Sequence, residues 1–403
     1  MRGRLSLLLS FALFGCTTGK IGDPGASIPP GSPDMPGGGG ACTAGAPSVT
    51  PRLRRLTFAQ YDNTASDLVR TAVTPSLQLG PEIDGMTNVL WSGIQTGAQA
   101  LAADPAVLMR VLPCQPTGDG SACAQQFVTQ IGRQAFRRSL TAAEVARYMD
   151  LYNSRMDLTP TGSFQDGIQL IVEALLQSPN FLVRIERSTA TKGDVIPLSG
   201  AERATRIAYA LWNGPPDAQL LSAGESGSLD TLDGVRSEAQ RMLSSMDGKV
   251  KARTLMRESA QDYLGMVGTY GQFWANTSRD PNLFPDFYPG IDADFREEVL
   301  RFVDRVTFDL DGSFHDLLTS PEAVVNGKLA PIYGLTQAPA DWTAVTLDPD
   351  QRPGLLTRAG FVGTHGRFSR GSLIYRGAFV LKRLLCQTIG SPPAGAANTP
   401  LPD

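Results

Sequence analysis

Residues 140–145 read LTAAEV, and this stretch decides the fold class. The Thr141 hydroxyl can accept the amide three residues on, while Glu144 reaches back to the Thr141 amide; that reciprocal pair starts a helix. Leu140 and Val145 fit the hydrophobic staple beside it. The device recurs in LTFAQY (56–61), with Thr57, Gln60 and a Leu56–Tyr61 staple, and in LSGAER (198–203), with Ser199 and Glu202. Apolar residues then repeat at helical spacing: Phe58, Tyr61, Ala65, Leu68; Val145, Tyr148, Met149, Tyr152, Met156; Phe164, Ile168, Ile171, Leu175; Phe295, Val299, Phe302, Val306. Alternation of period two is scarce, and DWTAVTLD (341–348) is the best strand candidate. The expected class is all-α: two helical domains, 51–190 and 195–385, behind a disordered N-terminal tether. The break falls near STATKGDVIP (188–197), long loops near 75–97 and 265–290, and a Pro/Gly tail over 386–403.

A chain of 403 residues can bury a sizeable core. The net charge of −3 is too small to argue for a nucleic-acid partner. Arg supplies all but six of the 36 basic residues, a bias that genome composition explains. There are two histidines, His315 and His365, which narrows metal, haem and acid–base chemistry.

Residues 1–16 have Arg2 and Arg4, an apolar run from Leu5 to Phe14, then Gly15-Cys16, the layout of a secretory signal. The run is too short to span a bilayer. LFGC fits a bacterial lipobox with Cys16 as the lipidated residue; a plain signal peptide with an incidental cysteine is the alternative. Thr17 rather than Asp follows, which favours the outer membrane, periplasmic or surface-facing. Residues 17–50 are Gly- and Pro-rich with too little apolar content for a core, a tether reaching about 30–35 Å as a coil.

With Cys16 lipidated, Cys42, Cys114, Cys123 and Cys386 remain, and four cysteines allow three pairings. Cys114 and Cys123 bracket the turn-rich QPTGDGSA, which favours their union and leaves Cys42 with Cys386; buried free thiols are the alternative. No Cys-x-x-Cys occurs, so neither covalent haem nor a zinc ribbon has its spacing.

Other chemistry is sparse. Asp309, Asp311 and Gly312 follow part of a calcium-loop pattern, but its twelfth position is Ser320, so a helix end with a turn is expected. Glu297 and Arg301 form a surface pair at i, i+4, and nothing marks Glu297 or Glu298 as a general acid. The glycines of GMVGTYG lack a phosphate-loop context, and no nucleophile elbow occurs. Both histidines are expected in loops, which argues against a triad and leaves His365 as a remote candidate for an axial ligand. Arg367, Arg370 and Arg376 in the SRGSLIYRG region form a weak anion or docking patch, or a capped helix start with solvated arginines.

Several stretches carry a resemblance. RRLTFAQYDNTASDLV (54–69) resembles the N-terminal planctomycete-specific domain of exported planctomycete and myxobacterial proteins. QAFRRSLTAAEVARYMDLY (134–152) and ALLQSPNFLVRIE (174–186) resemble the next module, and ALWNGPPDAQLL (210–221) and VVNGKLAPIYGL (324–335) the third. Residues 352–393 resemble the start of a planctomycete cytochrome-c type domain. In that family the segment runs on to a haem-attachment motif, which this sequence lacks, so no cofactor is expected in this chain. The resemblance gives architecture more than activity; with no catalytic constellation in the sequence, the expected role is an exported, non-enzymatic scaffold or binding body. One rival is the non-haem portion of a split or truncated cytochrome-c-type electron-transfer protein, with a haem-bearing or envelope partner. The other is an enzyme acting on an envelope polymer.

Overall fold

The computed structural model describes residues 52–73, 87–189, 191, 195–266, 280–366 and 371–390. Cys16, Cys42, Arg367, Arg370 and the expected signal and tether lie outside them. The described residues form two compact units, one up to Ala252 and one from Arg253 on.

In the first unit, β1 (Leu53–Arg55) leads into α1 (Phe58–Val69), α2 (Asn88–Ala103), α3 (Pro105–Val111), α4 (Ser121–Phe136), α5 (Ala142–Asn153), α6 (Arg155–Leu158), α7 (Phe164–Gln177) and α8 (Pro179–Leu182). Then come β2 (Val183–Ile185), α9 (Gly200–Trp212), α10 (Ala218–Glu225), α11 (Leu232–Ser244) and the start of α12 (Met246–Tyr263). All three expected capping boxes form, at Thr57/Gln60, Thr141/Glu144 and Ser199/Glu202. A fourth, Ser163/Asp166, starts α7. Glu144 also accepts two bonds from Arg138, at 2.7 and 2.8 Å, which hold its carboxyl at about 2. The apolar stripes make the core: Tyr61, Ala65 and Leu68 of α1 meet Leu90, Ile94 and Ala98 of α2, Phe127 and Ile131 of α4, and Ile168, Ile171 and Leu175 of α7.

The second unit holds the end of α12, then α13 (Ile291–Asp304), which widens into a π-helical turn over Arg305–Asp309, and α14 (Phe314–Thr319). The strands β3 (Glu322–Val325) and β4 (Thr343–Thr346) follow, then α15 (Ala359–Thr364) and α16 (Leu373–Phe379). The stripe Phe295, Val299, Phe302, Val306 is buried as its spacing requires. A fifth capping box, Ser313/Asp316, starts α14.

The class is mainly helical, as expected, with two small antiparallel pairs, β1–β2 and β3–β4; the second contains the expected DWTAVTLD strand, while the first joins segments too short to show a period. Three expectations need revision. The loop expected near 75–97 gives way at Asn88 to α2, whose first turn is capped by the Thr87 hydroxyl. Met156 leaves its stripe, because α5 ends at Asn153, and it is 66% exposed. The compact units divide inside α12 rather than at 188–197, because Tyr209 of α9 packs in the first core.

Cys114 and Cys123 are bonded to each other across the expected loop, with Cα atoms 5.7 Å apart. Cys386 is also disulfide-bonded; its expected partner Cys42 lies outside the described residues. Closing the 114–123 loop removes chain entropy from the unfolded state. The Cys114→Ser/Cys123→Ser double variant is therefore expected to lose about 2–3 kcal/mol in urea denaturation, and peptide mapping without reductant should recover the bridge in the native chain.

Candidate functional site

A buried polar cluster lies in the second unit, where α13 meets the start of α15. Glu298 occupies the i+3 slot of the stripe begun by Phe295, so helical geometry turns its carboxylate inward with its apolar neighbours. It is wholly buried. An isolated carboxylate there would cost several kcal/mol, and it is matched on both oxygens. The Tyr333 hydroxyl donates to Oε1 at 2.7 Å, and the Gly360 amide donates to Oε2 at 3.1 Å. Tyr333 in turn accepts the Ala359 amide at 2.7 Å.

This satisfies the head of α15. Its N-cap, Arg358, makes no side-chain cap bond, so two of the helix's orphan amides are taken by Tyr333 and Glu298 instead. A negative charge at a helix N-terminus is also favourable. Position 360 has to be glycine for this approach: a Cβ there would sit 2.2 Å from the Phe295 carbonyl oxygen. Arg358 is wholly buried beside the carboxylate. Its Nε donates to the Gly354 carbonyl at 2.9 Å, another nitrogen donates to the Arg352 carbonyl, and its guanidinium lies 5.0 Å from the Phe302 ring centre. Nη1 has no hydrogen-bond partner among the described residues. Burial pushes the Glu298 carboxyl up, against the pull of Tyr333, Gly360 and Arg358. Burial, then the Glu298 charge, raises the Tyr333 hydroxyl.

His365 follows at the C-cap of α15, a turn residue just past the helix. Its ring packs against Phe361 and Phe379, at centroid distances of 4.4 and 5.2 Å. Nδ1 lies 3.0 Å from the Phe361 carbonyl, which can only accept, so Nδ1 carries the proton and Nε2 the lone pair. Burial lowers its basicity, keeping the ring neutral. His315, expected in a loop, lies on a helix, α14, and is exposed beside Asp316.

The remaining candidates are accounted for locally. Glu297 pairs with Arg301 at 2.8 Å, as expected. Asp309 pairs with Arg253 at 3.1 Å at the end of the π-turn, and Asp311 takes a left-handed conformation in the turn that follows. Of the arginine patch, Arg376 is half-buried on α16, and Arg367 and Arg370 lie outside the described residues. Among the described residues, no group of three or more His, Cys, Asp or Glu could hold a metal ion. No helix among them is long and apolar enough to cross a membrane.

The molecule is thus a mainly helical protein with a buried carboxylate–phenol–amide cluster. Three family models match it: PSD5, a protein of unknown function (DUF1595), over 123–186; PSD4, a protein of unknown function (DUF1592), over 198–335; and PSCyt3, a protein of unknown function (DUF1588), over 352–403. These are planctomycete-specific and cytochrome-c-type domains. No curated protein and no solved structure matches. The resemblance over 134–152 and 174–186 falls within PSD5, that over 210–221 and 324–335 within PSD4, and that over 352–393 within PSCyt3; residues 54–69 lie outside the three spans. Glu298 and Tyr333 belong to the PSD4 span, Arg358 and Gly360 to the PSCyt3 span, so the cluster joins two modules.

The raised carboxyl gives a pH signature. Folded Glu298 binds its proton more tightly than the unfolded chain, whose value is the ordinary 4.5. Its contribution to stability is full below that value and is lost as pH rises through the folded one. Glu298→Gln lacks this titration, so its stability relative to wild type should rise as the pH is raised above the ordinary carboxyl value in urea denaturation; a pH-independent difference would contradict the assignment.

Proposed function

We propose that the chain is a non-enzymatic scaffold or binding body, exported and held at the outer membrane by lipid on Cys16. The observation that supports a structural role is the use made of Glu298. It is the one wholly buried acid described, and both its oxygens are occupied by donors that fasten α15 to α13. An acid placed for proton transfer needs reach to a substrate proton, whereas this one is spent on joining modules.

The anchor rests on the LFGC stretch and the Gly/Pro tether behind it. More than one acyl chain is needed for stable attachment. Cys16→Ala is expected to move the protein from the outer-membrane fraction to the soluble one; unchanged fractionation would remove the anchor from this reading.

A second reading is the non-haem portion of a split cytochrome-c-type protein, favoured by the PSCyt3 match and by the neutral, oriented His365 within it. Covalent haem does not fit the described residues: Cys114, Cys123 and Cys386 are all in disulfides, and attachment takes free thiols beside an axial histidine. On this reading the haem sits on another chain. The visible spectrum of the native protein, purified alone, is expected to lack a haem band; a Soret absorption that survives denaturation would overturn the scaffold reading.

A further inference from the structure

Arg54 and Arg184 stand directly opposite each other in the antiparallel pair β1–β2. Side chains so placed share one face of the sheet, about 4.5–5.5 Å apart at Cβ, and like charges there repel. Arg184 is half-buried, its guanidinium 4.9 Å from the Tyr209 ring centre. Its Nε is buried with no hydrogen-bond partner among the described residues. Burial and the nearby charges of Arg54, Arg137 and Arg206 all work against its cation, and Tyr209 alone works for it.

The neighbours differ in what they have left to offer. Arg206 pairs with Glu186, Nε to Oε1 at 2.6 Å. Arg137 is committed to the carbonyls of Asn180, Phe181 and Val183, at 2.7, 3.1 and 3.1 Å. Arg54 is exposed, and among the described residues neither it nor Arg184 has an ion-pair partner. The floor is fixed: Tyr209 is buried and its hydroxyl lies 2.7 Å from that of Thr64. Two unmatched arginines therefore stand opposite each other on adjacent strands, and the guanidinium of Arg184 lies over a rigid aromatic ring.

We propose that Arg54 and its cross-strand partner Arg184, the latter held over the Tyr209 ring, form a binding site for a dianionic oxyanion of the phosphate type. Two guanidinium forks match the oxygens of a tetrahedral phosphate, which can accept bidentate bonds from each. The ligand's two negative charges would offset both cations and remove the cross-strand repulsion. The same chemistry occurs in free phosphate and in a phosphomonoester lipid headgroup.

The test uses the full chain at constant ionic strength set with chloride. Calorimetric titration with inorganic phosphate and sedimentation with phosphatidylcholine vesicles containing phosphatidic acid distinguish the two sources. Binding of either probe is expected, weakened about tenfold or more in Arg54→Gln, an exposed position whose loss leaves the fold intact. Arg184→Met should abolish it. In phosphate-free buffer Arg54→Gln should also melt above wild type, because the repulsion is relieved, and added phosphate should raise the wild-type melting temperature more than that of the variant. The proposal fails if neither probe binds, or if wild type and Arg54→Gln respond equally, which would make the effect a general ionic one.

Discussion

A carboxylate with no access to water has to be matched or neutralised, and in the second unit that demand falls on Glu298. Its donors come from afar: Tyr333 is 35 residues away in the chain and Gly360 is 62. Neither can reach it until α13, the segment carrying Tyr333 and the head of α15 have come together. The cluster is therefore formed only by the assembled unit, and it ties assembly to one register of α15 against α13. Gly360 enforces the same register sterically, since any side chain there meets the Phe295 carbonyl. Charge and shape specify one docking.

This arrangement changes how the family matches are understood. PSD4 and PSCyt3 are separate models in sequence, with residues 336–351 between them. In space the PSCyt3 span contributes Ala359 and Gly360 to a cluster whose acid and phenol come from PSD4. The start of the cytochrome-type module is thus part of the same compact unit as the end of its predecessor. Module boundaries and folding boundaries also part company upstream. PSD4 begins at residue 198, close to the break expected from composition, while the compact units divide within α12.

Local signals were the legible ones. A capping box needs only four consecutive residues, so Thr57, Thr141 and Ser199 marked their helices correctly. The Cys114–Cys123 bridge was legible for the same reason: its loop is short and made of turn residues. The α2 helix was harder, since NVLWSGIQTGAQALAA mixes glycines with an incomplete stripe, and tertiary packing of Leu90, Ile94, Ala98 and Ala102 decides it. Glu298 left a usable trace, because residues 295, 298, 299 and 302 share one helix face, and a lone acid among three apolar residues invites a search for buried donors. The identity of those donors was not legible, for no periodicity links Tyr333 or Gly360 to residue 298. His365 lies in the turn after α15, where a loop residue was expected, but its ring contacts with Phe361 and Phe379 left no trace in the local sequence. The opposition of Arg54 and Arg184 was hidden as well, since strands of three residues show no alternation and their register is a property of the fold.

The bridge between Cys114 and Cys123 has a further consequence at its loop. Residues 115–119 are exposed, a tip that a protease could reach. Behind the tip the backbone is fastened, because Tyr152 donates to the Asp119 carbonyl at 2.7 Å and Gly120 turns with positive φ against Phe164. A cut at residues 115–119 would therefore release nothing: the two pieces would stay covalently joined through sulfur, with the buried faces of α3 and α4 still in one core. Under oxidising conditions a nicked molecule would survive as a working body, and only reduction would reveal that it had been cut.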